Sequence, residues 1–124
     1  MGTSSYIYTI PGTPASLNLY AGREAQHWKY RKAKEAQTAE MKYLAVNNHP
    51  PEPFAKAYID VRLYFRDNRR RDLDNYLPKG ILDGLVLGGV LKDDSWQCIA
   101  QLAITGAIDR ENPRTEIIVT GVYE

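Results

Sequence analysis

Apolar and polar residues alternate most cleanly between Ala55 and Arg66. Ala57, Ile59, Val61, Leu63 and Phe65 fall on one side; Tyr58, Asp60, Arg62, Tyr64 and Arg66 fall on the other. A period of two is the mark of a strand with one buried face. Three further stretches read as strands. Ser5 to Ile10 (SYIYTI) is rich in aromatic and β-branched types and stops at Pro11-Gly12. Trp96 to Thr105 and Thr115 to Tyr123 flank a turn-rich link, Gly106 to Pro113. Two stretches carry helical spacing instead. From Gly22 to Val46 the chain is built of helix formers, with Ala25, Trp28, Ala36, Ala39, Tyr43 and Val46 near the helical period. The spacing predicts that Trp28 packs into the core. The prolines of Asn47 to Pro53 end that helix, because a proline cannot continue it. A second helix, through Ile81, Leu82, Leu85 and Val86, starts near Leu77 or Pro78 and closes at Gly88-Gly89. Thr13 to Tyr20 reads as loop.

Strand, helix, strand, helix, strand, strand is the order of an α+β domain. The expected architecture is a single small domain over residues 1–124, a mixed four-stranded sheet with two helices on one face. With 124 residues, 44% hydrophobic and 25% charged, the chain has room for one core and the composition of a soluble globular protein. The longest apolar run, Gly84 to Leu91, is far too short to span a bilayer. No secretory signal is visible, and the single cysteine, Cys98, cannot form an internal disulfide, so a cytoplasmic setting is expected. Cys98 reads as a small buried hydrophobe in an apolar strand. With His27 and His49 so far apart and one cysteine, no standard four-ligand zinc site can form.

The net charge of +1 conceals an asymmetry. Residues 1–71 carry 12 Lys/Arg against 6 Asp/Glu, whereas residues 72–124 carry 4 against 9. A basic half that grips phosphates and an acidic half that concentrates divalent metal would suit a nuclease, although uneven charge is also common on a solvated surface. The candidate chemistry starts where the two halves meet, with RRRDLDN at Arg69 to Asn75, and continues in the acidic half with KDDS at Lys92 to Ser95. If the first turn is extended, Asp72 and Asp74 project the same way and reach one ion. Magnesium takes hard oxygen ligands, and Asp93-Asp94 can supply a third carboxylate. Arg69, Arg70 and Arg71 offer phosphate contacts, as do Lys29, Arg31, Lys32 and Lys34 on the first helix. Each piece alone is weak. A lone D-x-D is often a decoration at a helix start and also occurs in sugar-nucleotide transferases.

Taken together and in order, these pieces resemble the RusA family of junction resolvases. The match comprises the arginine-rich loop, DLDN, Lys79, the run ILDGL at Ile81 to Leu85, a glycine-containing turn and KDDS. Upstream, IPGTPASLN at Ile10 to Asn18 and His27-Trp28 before a basic helix are similar to the family's opening strand, loop and helix. The resemblance implies a homodimer that nicks four-way branched DNA. It implies magnesium, with manganese as a substitute, held by Asp72, Asp74 and Asp94. Lys79 is the implied essential lysine; Asn75 and Asp93 are supporting residues. Neither a membrane nor a small-molecule cofactor is expected. The implied chemistry is hydrolysis of a phosphodiester to a 5′-phosphate and a 3′-hydroxyl. Lys79 stands one residue later after DLDN than is usual in the family, Trp96 is an extra residue after KDDS, and the glycine turn is longer. A catalytically silent DNA-binding protein of the same fold stays open as an alternative. A D-x-D transferase is disfavoured, since the chain has no room for a nucleotide-binding domain beside an acceptor site.

Overall fold

A computed structural model describes residues 2–14, 16, 24–76 and 78–123. Its elements are β1 (Gly2–Pro11), α1 (Glu24–Val46), β2 (Ala57–Phe65), a 3₁₀ turn (Leu73–Asn75), α2 (Lys79–Leu87), β3 (Ile99–Ile108) and β4 (Arg114–Tyr123). The strands form one mixed sheet in the order β1-β4-β2-β3. β4 runs antiparallel to both β1 and β2, and β2 runs parallel to β3. Parallel neighbours need a crossover connection, and α2 supplies it. The last two strands are consecutive in sequence but not paired, because β4 inserts between β1 and β2. Both helices lie on one face, as expected. Much of the loop read at Thr13 to Tyr20, the helix start at Gly22 and Leu77 lie outside the described residues. Among the described residues no helix is long and apolar enough to cross a membrane.

The alternation along β2 is realised in full: Ala57, Ile59, Val61, Leu63 and Phe65 are all buried. Ile117 and Val119 of β4 sit beside them, and Ile81 and Leu85 of α2 close the core from above. β1 begins earlier than SYIYTI suggested and pairs with β4 along its whole length, from Gly2 with Tyr123 to Pro11 with Arg114. β3 begins later. Ser95 first turns the chain, its carbonyl accepting from the N–H groups of Cys98 (3.1 Å) and Ile99 (2.9 Å). Trp96 is therefore on a turn and 81% exposed, while Cys98 is buried, as expected, but just before the strand rather than in it.

The expected inner face of α1 is the wrong one. Trp28 is 54% exposed, with the Lys32 ammonium 4.9 Å from its ring centre, and Tyr43 and Val46 also face solvent. Met41 and Ala45 are buried instead, with Lys34, Gln37 and Leu44 half-buried on the same stripe. The reason lies on α2. A Cβ at Gly80 would stand 2.5 Å from Gln37 Oε1, one at Gly84 2.5 Å from Met41 Cβ, and one at Gly88 would collide with Ala45. Glycine at every fourth residue makes a flat stripe against which α1 lies, and large aromatic side chains have no room in that contact.

Candidate active site

The close helix contact brings charged groups from three segments together. Lys79 opens α2 directly after Pro78, and Asp83 lies one turn on, at the i,i+4 spacing that makes side chains neighbours. The Lys79 ammonium donates to Asp83 Oδ1 at 2.8 Å and to Asp94 Oδ2 at 2.8 Å. From α1, Lys34 Nζ reaches the other oxygen of Asp83, Oδ2, at 3.2 Å. Asp94 is delivered by the chain leaving α2. There the Phe54 N–H donates to Val90 O at 2.8 Å and the Lys92 N–H to Phe54 O at 2.9 Å, pinning this segment beside the entry to β2. Lys79, and then Lys34, hold the Asp83 carboxyl below the ordinary carboxylate range. Asp83, and then Asp94, raise the Lys79 ammonium above its usual value.

The DLDN segment is built differently. Asp72 is extended (φ −93°, ψ 121°), but Leu73 to Asn75 form a 3₁₀ turn closed by Asn75 N–H to Asp72 O (3.0 Å) and Tyr76 N–H to Leu73 O (3.0 Å). Tyr76 anchors the turn by its ring, 5.4 Å from that of Phe65. The extended turn that would point Asp72 and Asp74 the same way is thus not formed, since a 3₁₀ turn repeats about every three residues rather than every two. Asp72 makes no capping bond and meets Arg70 only at 3.5 Å; Asp74 is exposed. Among the described residues no three His, Cys, Asp or Glu side chains converge as a metal group. Within one chain, Lys79 rather than a second aspartate lies against Asp94. Asp72 and Asp74 offer exposed carboxylates, whereas Asp94 is half-buried and paired with Lys79. Their chemistry fits a hard divalent cation.

The seven cations expected to bind DNA divide by environment. Asp67 collects Arg69 (3.2 Å), Arg71 (2.8 Å) and, at 3.8 Å, Arg66. Arg71 is only 16% exposed, donates to Asp67 O and Arg69 O at 3.1 Å each, and stacks 4.4 Å from the Phe65 ring centre. It braces the loop. Arg70, by contrast, is 89% exposed. On α1, Lys29, Arg31 and Lys32 face solvent, whereas Lys34 is engaged by Asp83. A pocket of about 250 Å³ runs between α1 and the end of β1, lined by Lys34, Gln37, Asn75, Lys79 and Thr115 among others. A second, of about 310 Å³, is lined by Arg69 to Asp72, Asn75 and Tyr76. Asn75 borders both, while Asp93 is exposed. Sequence reasoning gave no role to Asp83 or Asp67. The i,i+4 pairing of Lys79 with Asp83 was the available signal for the first.

Every group in these two pockets except Ile10 lies within residues 11–120, the span that matches the family model described as Endodeoxyribonuclease RusA. The chain belongs to the RusA family. Over 100 residues it is 32% identical to the crossover junction endodeoxyribonuclease rusA of Enterobacteria phage HK97, covering 73% of this chain and 75% of that one. Two of the departures from the family's usual spacing, those at Lys79 and Trp96, are absorbed locally in this RusA-family fold. The late lysine falls on the first residue of α2 and still reaches Asp94. The extra Trp96 projects into solvent from the turn before β3.

Proposed function

We propose that the protein is a magnesium-dependent endodeoxyribonuclease that resolves four-way DNA junctions by paired nicks, as a homodimer. The observation that carries this is the meeting of Lys79 and Asp94 at 2.8 Å inside the family-matched span, beside the arginine-lined pocket that Asn75 shares. Asp72, Asp74 and Asp94 would hold the cation. When bound, magnesium supplies polarisation of the scissile phosphate and a water acidified toward neutral pH. Lys79 neutralises charge that builds on the phosphoryl oxygens, and Arg70 with Lys29, Arg31 and Lys32 draws the DNA backbone in. Hydrolysis leaves a 5′-phosphate and a 3′-hydroxyl. A second copy finds support in β3, a ten-residue edge strand with no charged residue or proline and with Leu102 and Ile108 exposed. Such an edge lacks the usual guards against pairing.

The test is a synthetic mobile four-way junction incubated with and without magnesium, with nicks mapped on all strands. Wild type should nick opposed strands only with the metal. Asp74→Asn should lose cleavage by about 100-fold or more while still binding the junction. Wild-type cleavage by Asp74→Asn would remove that residue from the site. The second reading, a DNA-binding protein of the same fold without cleavage, draws on the Lys79 ammonium neutralising Asp94 within the chain. Absence of magnesium-dependent nicking by wild type would favour it.

A further inference from the structure

The geometry points to Asp83 as the positioning residue that keeps Lys79 in the site when Asp94 turns to a divalent cation; this rests on the nuclease reading above. An ammonium has three donors, and Lys79 spends two, on Asp83 Oδ1 and Asp94 Oδ2. Asp94 is the proposed metal ligand, so in the single chain Lys79 stands where a cation competes for the same carboxylate. A lysine with Asp94 as its only partner would either hold that carboxylate against the metal or leave with it. Asp83 offers a second anchor on the same rigid helix, at 2.8 Å.

Asp83 is itself fixed from the far side. Lys34 takes its other oxygen across the α1–α2 contact, which the glycine stripe at Gly80, Gly84 and Gly88 makes close enough. Charges therefore alternate along one line: Lys34, Asp83, Lys79, Asp94. Loss of Asp94 to a cation leaves Lys79 held by Asp83, with two donors free for a phosphate.

A mere helix staple between Asp83 and Lys34 would affect stability but would not couple metal affinity to Lys79. The test is Mn²⁺ binding, followed by the electron paramagnetic resonance of free Mn²⁺. The proteins are wild type, Asp83→Asn, Lys79→Met and the double variant, each checked for folding by far-ultraviolet circular dichroism. Asp83→Asn should weaken Mn²⁺ binding about fivefold or more where Lys79 is present, the scale of coupling between contacting charges. In the Lys79→Met background the same change should cost less than about twofold, since the remaining effect is screened by solvent. Asp83→Glu, which keeps a charge at i,i+4, should recover part of the loss. Equal weakening in both backgrounds, or none in either, overturns the positioning role. Failure of wild type to bind Mn²⁺ at all would instead strike down the metal-nuclease reading, and the role with it.

Discussion

Two aspartates in this protein each gather several cations, and they do it for different ends. Asp67 collects arginines from its own loop, all within four residues of it in the chain. Asp83 collects lysines from different elements, Lys34 on α1 and Lys79 on its own helix, and through Lys79 it is joined to Asp94. Arginine's planar fork suits the loop, where Arg71 grips two carbonyls and a carboxylate at once and stacks on Phe65. Lysine's compact ammonium on a flexible stem suits the helix pair, where a charge has to be shared and passed between partners. A cluster that is local in sequence stabilises a loop. One that spans three segments depends on how those segments pack, and it is the one that shares a lysine with Asp94, a proposed ligand.

Separating the helices should break the Lys34 arm of the Asp83 cluster and spare the Asp67 one. A side chain at Gly84 would place its Cβ 2.5 Å from Met41 Cβ and 2.9 Å from the Lys42 backbone nitrogen, and backbone cannot yield as a flexible side-chain tip can. Gly84→Ala should cost about 1–3 kcal/mol in urea unfolding, and Gly84→Val more, as expected for overpacking a close contact. Junction cleavage should fall with stability, because Lys34 and Asp83 can no longer meet. The Asp67 knot should be untouched: the loop containing Arg71 should keep its amide-exchange protection under native conditions. A Gly84→Val protein as stable as wild type would show that the helix contact is looser than these distances imply.

The arginines test the contrast from the other side. Arg71→Ala removes a mostly buried guanidinium with two carbonyl bonds and a stacked ring, and should cost about 1–2 kcal/mol of stability. Arg70→Ala removes an exposed side chain and should change stability by less than about 0.5 kcal/mol. Its effect should be on DNA: the slope of junction affinity against salt should flatten by about one unit. Measured together, urea midpoints and salt titrations of the two variants should show opposite profiles. If Arg71→Ala flattened the slope as strongly as Arg70→Ala and left stability intact, the division between bracing and binding would collapse.

Why the sequence revealed some of this and not the rest follows from where each signal resides. The β2 face was legible because alternation is a property of neighbouring residues. Family membership was legible because DLDN, Lys79, ILDGL and KDDS keep their order. The inner face of α1 differs from the expected one because the apolar residues that suggest it, Trp28, Tyr43 and Val46, are exposed, while Met41 and Ala45 are buried. Its true contact stripe includes Lys34 and Gln37, whose burial is dictated by glycines about 45 residues later in the chain. A polar residue facing a glycine stripe leaves no periodic mark. The relation between Asp72 and Asp74 was likewise set by a 3₁₀ turn that Tyr76 anchors against Phe65, a tertiary cause. Asp83 sat in plain view inside ILDGL, where an apolar pattern drew attention away from its one charge.

Acid stability should separate the two aspartates by the least margin. The backbone N–H of Arg69 and the Arg71 guanidinium hold the Asp67 carboxyl at about 2, below the ordinary 3.8. A carboxyl whose folded value is depressed binds a proton less readily in the folded state. Its contribution is therefore complete above the unfolded value and is lost as pH falls from about 4 toward 2. Asp67→Asn keeps much of the shape but cannot titrate. The gap in urea midpoint between wild type and this variant should hold steady above about pH 5 and narrow below pH 4, at low ionic strength where screening is least. The Asp83 carboxyl is also lowered, through Lys79 and Lys34, so Asp83→Asn should show an acid limb of the same sign. The two differ in what the metal should do. Divalent cation present throughout the acid titration should leave the Asp67 limb unmoved and alter the one at Asp83, because Asp83 alone shares its lysine with a proposed ligand. Identical responses of both limbs to the cation would mean that the inter-helix cluster is no more coupled to the cation than the loop knot is.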